Sequence, residues 1–187
     1  KRHRKGQPID YISKCTNIDY IPHDSGLDEE IREEIITFMS QLFPDEGLCK
    51  YMWDHLASCL IGTNENQTFN LYHGSGRNGK SKLVDLMSKC LGDYKGTVPI
   101  TLITQKRNCI GSTSSEIVQL MGVRYAVMQE PSKREKINEG IMKEITGGDP
   151  LQGRALFKDT VTFIPQFELV VCTNSLFQIH ANDDGTW

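Results

Sequence analysis

The sequence predicts an α/β fold, a parallel sheet flanked by helices and preceded by a small helical region, and three observations carry that expectation. Residues 69–87, FNLYHGSGRNGKSKLVDLM, set an apolar run, a glycine-rich loop and an apolar-periodic run in immediate succession. Apolar runs at residues 124–128 and 169–173 then alternate with helical stretches near 114–121 and 136–145. Alternation of this kind marks a parallel sheet covered by helices. Before residue 66, by contrast, the only strong periodicity is helical.

The elements follow in chain order. The opening KRHRKG is a short basic run with the character of a solvated tail or of a nucleic-acid arm. From Leu27 the pattern turns helical: Ile31, Ile35, Phe38 and Leu42 recur at helical spacing on a charged background, and Pro44 closes the segment. A second helix is expected from about Gly47 to Leu60, with Leu48, Met52, Leu56 and Cys59 on one face and Gly62 as its stop. The organisation expected from the pattern is therefore a small helical region at 1–66 followed by an α/β region at 67–187.

Bulk properties bound the rest. The 187 residues suffice for one sizeable core with a helical appendage but not for two full domains. A formal net charge of −3 gives no overall basic signature, so any contact with nucleic acid has to come from a local patch. The six cysteines are scattered, with no pair at zinc-knuckle spacing, which points to free thiols in a reducing compartment. No apolar run approaches the roughly 20 residues of a spanning helix, and no charged-then-apolar leader opens the chain. The expectation is an intracellular protein with no membrane partner. A chain that starts without Met and stops at Trp187 is expected to be a piece of something longer.

The chemistry starts at GSGRNGKS, Gly74 to Ser81, which fits G-x-x-x-x-G-K-[ST] without mismatch between a strand-like and a helix-like run. Gly74, Gly76 and Gly79 let backbone N–H groups face inward, and the helix that starts there adds its positive dipole end. Ser75, Arg77, Asn78 and Lys82 complete the cradle. Lys80 can reach the β- and γ-phosphates of a nucleoside triphosphate, with ATP the expected ligand, and Ser81 can ligate Mg²⁺. Kinases and GTPases share this loop, so the loop alone does not name the work.

Two later strand ends bear on that question. In VRYAVMQEP, Glu130 ends an apolar strand and is either a solvated strand end or the carboxylate that holds magnesium through water and orients an attacking water. In FELVVCTNS, the strand ends in Thr173 and Asn174. Asn174 either caps a turn or points its amide at the γ-phosphate.

The order and spacing of GSGRNGKS, GVRYAVMQEP, KEITGGDPLQGRALFKDTVTFIPQF, LVVCTN and DDGTW resembles the superfamily-3 helicases, compact AAA+-type motors. Within them the resemblance is nearest to the helicase–primases of large nucleocytoplasmic DNA viruses, poxvirus-type and relatives, and to related phage and plasmid primases. It covers residues from about 69 onward, and its third segment is the most specific. The resemblance implies a P-loop, AAA+-like ATPase core at 67–187, cut short at its C-terminal side and preceded at 1–66 by the end of a helical domain, with Lys80, Glu130 and Asn174 as catalytic residues. It also implies a hexameric ring, single-stranded DNA as partner, a primase domain on the same chain, and action in the host cytoplasm or nucleus at viral replication sites.

By the same resemblance, the segment after Gly147 supplies a hairpin that grips DNA. It offers Arg154, Phe157 and Lys158 near its turn; cations meet phosphates and a ring stacks on bases, unless Phe157 packs inward. Two departures stand out. Gln129 occupies the place of a second acid, and the chain ends at DDGTW, where the family usually continues into arginines that act on a neighbour's nucleotide. A small-molecule kinase and a nucleotide-binding assembly module without turnover are the alternatives.

Overall fold

The structure, a computed structural model, describes residues 4–22, 29–64, 66–104, 113–129 and 137–176. Its helices are α1 (Glu29–Leu42), α2 (Glu46–Ser58), α3 (Lys80–Leu91), α4 (Thr101–Thr104), α5 (Ser115–Val118) and α6 (Glu139–Thr146). Its strands are β1 (Phe69–His73), β2 (Lys95–Thr97), β3 (Tyr125–Gln129), β4 (Leu151–Arg154), β5 (Thr160–Phe163) and β6 (Glu168–Thr173).

Four strands form a fully parallel sheet in the order β1-β6-β3-β2. All six residues of β6 are buried, because it lies between β1 and β3 with helices on both faces. Side chains alternate across the pleat. Tyr125, Val127, Val170 and Cys172 enter one core cluster with α1, α2 and α3. Ala126, Met128, Leu169 and Val171 enter a second with Ile103 of α4 and with Met142 and Ile145 of α6. The α/β sheet flanked by helices is thus as the sequence grammar predicts.

Several elements differ in detail from the sequence expectation. On α1 the expected Phe38 and Leu42 pack against the core, but the fully buried residue is Met39 beside them, and Ile31 stays about half exposed. On α2 the inward face is Met52, His55, Leu56 and Cys59, while Leu48 faces out. Asp45 caps α2 by accepting from Leu48 N at 2.7 Å. Residues 4–22 form an arm with a single 3-10 turn at Pro8–Asp10, not a helix. The helical stretch expected at 114–121 is one short turn, α5, and Gly122 follows at φ +72°, a left-handed conformation that stops helical growth. Within 136–145, helix α6 begins only at Glu139, where Asn138 accepts from Ile141 N at 3.3 Å. Strand β2, only Lys-Gly-Thr, carries no periodic signal and exists through its pairing with β3.

The arm is tied to the far end of α3. Asp93 accepts from Cys15 N at 3.1 Å and from Asn17 Nδ2 at 3.1 Å, and the Tyr94 hydroxyl donates to the Lys14 carbonyl at 3.1 Å. On either side of that tie the tetrapeptide Ile-Asp-Tyr-Ile occurs twice, at 9–12 and 18–21.

Candidate functional site

The carboxyl ends of β1 and β6 lie side by side, with His73 in register with Thr173. Open parallel sheets bind ligands beyond these ends. The chain after β1 enters the glycine loop, and Gly74 N donates to the Thr173 carbonyl at 3.3 Å, which fastens the loop to β6. Gly76 at φ +97°, Arg77 at +52° and Gly79 at +79° then wind the loop through left-handed conformations into the first turn of α3. At Gly79 glycine is required twice over, because a Cβ there would sit 2.6 Å from Leu42 Cδ1 at the end of α1. The helical region therefore supports the loop from behind.

A cavity of about 400 Å³ opens on the loop, lined by Gly76 to Lys82 and by Val84, Cys172, Thr173 and Asn174. Lys80 Nζ donates to the Gly74 carbonyl at 2.8 Å, to Asn78 Oδ1 at 2.9 Å and to Asn174 Oδ1 at 3.1 Å. Ser81 and Lys82 occupy the amino-terminal turn of α3 on the same wall, where the helix dipole favours anions. The expected loop residues and Asn174 are thus brought to one place. Thr173 is different: it is buried, and its Oγ1 accepts from Ser175 N at 3.2 Å, which shapes the turn that holds Asn174. Cys172 and Val84 also line the cavity and were not anticipated; each adjoins the motif at strand or helix spacing, which is the signal that could have found them. Burial raises the Cys172 thiol above its ordinary pKa, and the nearby Lys80 charge works against that shift.

Glu130 and the DDGTW segment lie outside the described residues. Glu130 follows Gln129, whose backbone pairs in register with Cys172. Among the described residues, no cluster of His, Cys, Asp and Glu is arranged to hold a metal ion, and no helix is long and apolar enough to cross a membrane.

The segment after Gly147 does form an antiparallel hairpin, β4 with β5, whose register runs from Leu151 opposite Phe163 to Arg154 opposite Thr160. Lys158 N donates to the Ala155 carbonyl at 3.1 Å, closing the turn. Phe157 sits in that turn at φ +57° and is 95% exposed, so its ring does not pack inward. Lys158 beside it is exposed as well. Arg154 is the last residue of β4, paired with Thr160 next to the turn, and its backbone N–H donates to Ser114 Oγ at 3.0 Å while its carbonyl accepts from Ser114 N at 2.8 Å. The three candidate DNA contacts therefore lie at the turn end of the hairpin, Arg154 in its last strand pair and Phe157 and Lys158 in the turn.

This parallel sheet with its glycine loop and lysine defines an α/β protein of the P-loop type. Residues 72–186 match a family described as a family of unknown function (DUF5906), and the chain belongs to it. It is 41% identical over 184 residues, 98% of this chain and 19% of the relative, to "Putative helicase L207/L206" of Acanthamoeba polyphaga mimivirus. It is 34% identical over 158 residues to "Putative helicase 022R" of Frog virus 3, covering 82% of this chain and 16% of that protein. To "Putative primase C962R" of African swine fever virus it is 25% identical over 177 residues, 94% of this chain and 18% of that protein. The chain thus spans about a fifth of the length of the curated relatives it matches. The fold is also found in the apo C-terminal region (305–718) of NrS-1, with a TM-score of 0.60 at 13% identity over 81% of this chain and 36% of that one. The resemblance to helicase- and primase-named proteins of large DNA viruses stands.

Proposed function

We propose that the chain is the ATP-hydrolysing segment of a viral replication helicase, acting on single-stranded DNA as part of a ring. One observation carries the reading: the Lys80 ammonium meets Asn174 at 3.1 Å across the mouth of a glycine loop, at the carboxyl ends of adjacent parallel strands. That is where a triphosphate's terminal phosphoryl group would be held from two sides, by a cation and by a carboxamide. The cavity, the inward loop and the helix start suit a polyanion, and Ser81 supplies a hydroxyl for Mg²⁺. When bound, Mg²⁺ would neutralise charge on the β- and γ-oxygens.

In this reading Lys80 stabilises charge as the bond between the β,γ-bridging oxygen and the γ-phosphorus breaks. Glu130 takes the proton of the attacking water, leaving ADP and phosphate. Asn174 senses which product remains, and the strand β6 that carries it also borders β3, which leads to Glu130. The exposed Phe157 and Lys158 at the hairpin turn present a ring for stacking and a cation for phosphate.

The test is ATP hydrolysis by the longer natural protein with and without single-stranded DNA. DNA stimulates turnover, Lys80→Ala lowers it by about a hundredfold or more, and Phe157→Ala weakens DNA binding by roughly five- to a hundredfold through loss of one stacked base. Equal hydrolysis with and without DNA, or undiminished turnover by Glu130→Gln, would sink the motor reading.

A further inference from the structure

An ammonium group has three hydrogens, and all three on Lys80 are committed to protein oxygens: the Gly74 carbonyl at 2.8 Å, Asn78 Oδ1 at 2.9 Å and Asn174 Oδ1 at 3.1 Å. A phosphate oxygen that binds Lys80 in line with its N–H has to take the place of one of them. The Gly74 carbonyl belongs to a backbone pinned to β6 through its own N–H. Asn174 is exposed as well, but the backbone that carries it is held by the turn in which Ser175 N donates to Thr173 Oγ1 at the end of β6. Asn78 is exposed, on a loop between two left-handed residues, and its side chain alone can turn away without moving a strand.

The same side chain lies directly over Gly74. Gly74 is not among the residues with positive φ, so backbone freedom does not require it. A Cβ at that position would instead lie 1.5 Å from Asn78 Nδ2 and 3.2 Å from Lys80 Nζ. Gly74 is thus the floor on which the Asn78 amide lies while its oxygen holds Lys80.

We infer that Asn78 is a positioning residue that acts through Lys80: it competes with the triphosphate for the third hydrogen of the ammonium, and so sets how fast and how tightly the phosphates are taken. This rests on the nucleotide-site reading above. A charged phosphate wins the competition, because its oxygens carry the charge opposite to the ammonium while the amide oxygen is neutral. The competitor still subtracts the value of one hydrogen bond from the affinity.

The measurement is equilibrium and stopped-flow binding of Mg²⁺ with a slowly hydrolysed ATP analogue to this chain. Asn78→Ala binds roughly three- to tenfold more tightly than wild type, the worth of one net hydrogen bond. The gain lies in the association rate, with dissociation unchanged. Asn78→Ser, too short to reach Lys80, reproduces it, whereas a merely structural loop residue would show loss in both variants. Unchanged or weaker binding by Asn78→Ala overturns the inference while leaving the site reading intact. If wild type does not bind, or Lys80→Ala binds as well as wild type, the site reading fails and the inference fails with it.

Discussion

His55 is a residue whose role the helical periodicity of α2 does not disclose. It stands on the buried face of that helix, its Nε2 is 3.0 Å from the Tyr72 hydroxyl of β1, and its ring meets Tyr72 edge-on. Periodicity assigned that face to Leu48 and its apolar neighbours, since a histidine on a charged background looks like a surface residue. Burial, the sole cause, lowers the His55 pKa below its ordinary value of 6.5. A base with a depressed folded pKa is protonated first in the unfolded chain. Its contribution to stability is therefore present above about pH 6.5 and is lost as pH falls through that value. Glu168 acts in the opposite sense: burial raises its carboxyl above 4.5, so its contribution is present at low pH and lost as pH rises through that region. The wild-type melting temperature is expected to fall between about pH 7 and about pH 5, and the fall is expected to be smaller in His55→Gln, which keeps a partner for Tyr72. Thermal unfolding of the two proteins across that range checks it; parallel curves would mean that His55 is not held neutral. The glycine loop was legible residue by residue because its chemistry is local, whereas the fit of Leu42 against Gly79 joins distant parts of the chain and leaves no mark in spacing.

The β4–β5 hairpin is where element-scale reading succeeded in outline and failed in detail. The resemblance placed a hairpin after Gly147, and β4 and β5 are there. Its turn could not be located from GRALFKD, because a left-handed Phe157 is permitted by the turn and not encoded by residue preference. Nor could the brace be seen: α5 was expected to be a full helix, yet its four residues serve as a rest for β4. Gly153 makes the approach close, since a Cβ there would lie 2.8 Å from Val118 Cγ2 and 3.2 Å from Ile117 Cγ2. Gly153→Ala is expected to push the hairpin off α5 and cost about 1–3 kcal/mol, the usual cost of overpacking. Phe157→Ala, at an almost fully exposed position, is expected to change stability by no more than about 0.5 kcal/mol. Urea unfolding of both variants distinguishes the brace from the tip; equal stability for the two would show that the hairpin does not rest on α5.

At the scale of the whole molecule, the sheet's two faces bury different partners, and one of those partners is the helical region. Met39 of α1 and Met52, Leu56 and Cys59, from α2 and its C-terminal end, share a cluster with Leu83, Val84, Met87 and Leu91 of α3 and with Tyr125, Val127 and Val170 of the sheet. In the linker after α2, Asn64 Nδ2 donates to the Thr146 carbonyl at 2.9 Å and Gln67 Nε2 to the Gly147 carbonyl at 2.9 Å. The linker into β1 thus also fastens the end of α6 at the root of the hairpin. Composition changes abruptly near residue 66, from helical periodicity to alternation, but a change of grammar does not disclose which faces are buried against each other. With no separate apolar cluster found around α1 and α2 among the described residues, these helices have little to hold them once the sheet unfolds. The chain is therefore expected to unfold in one cooperative step. Trp53 in α2 reports on the helical region, and Trp187→Phe leaves it as the single tryptophan. In that variant, urea transitions followed by Trp53 fluorescence and by far-ultraviolet circular dichroism should coincide. A fluorescence transition that clearly precedes the loss of ellipticity would mean that α1 and α2 detach from a sheet that stays folded without them.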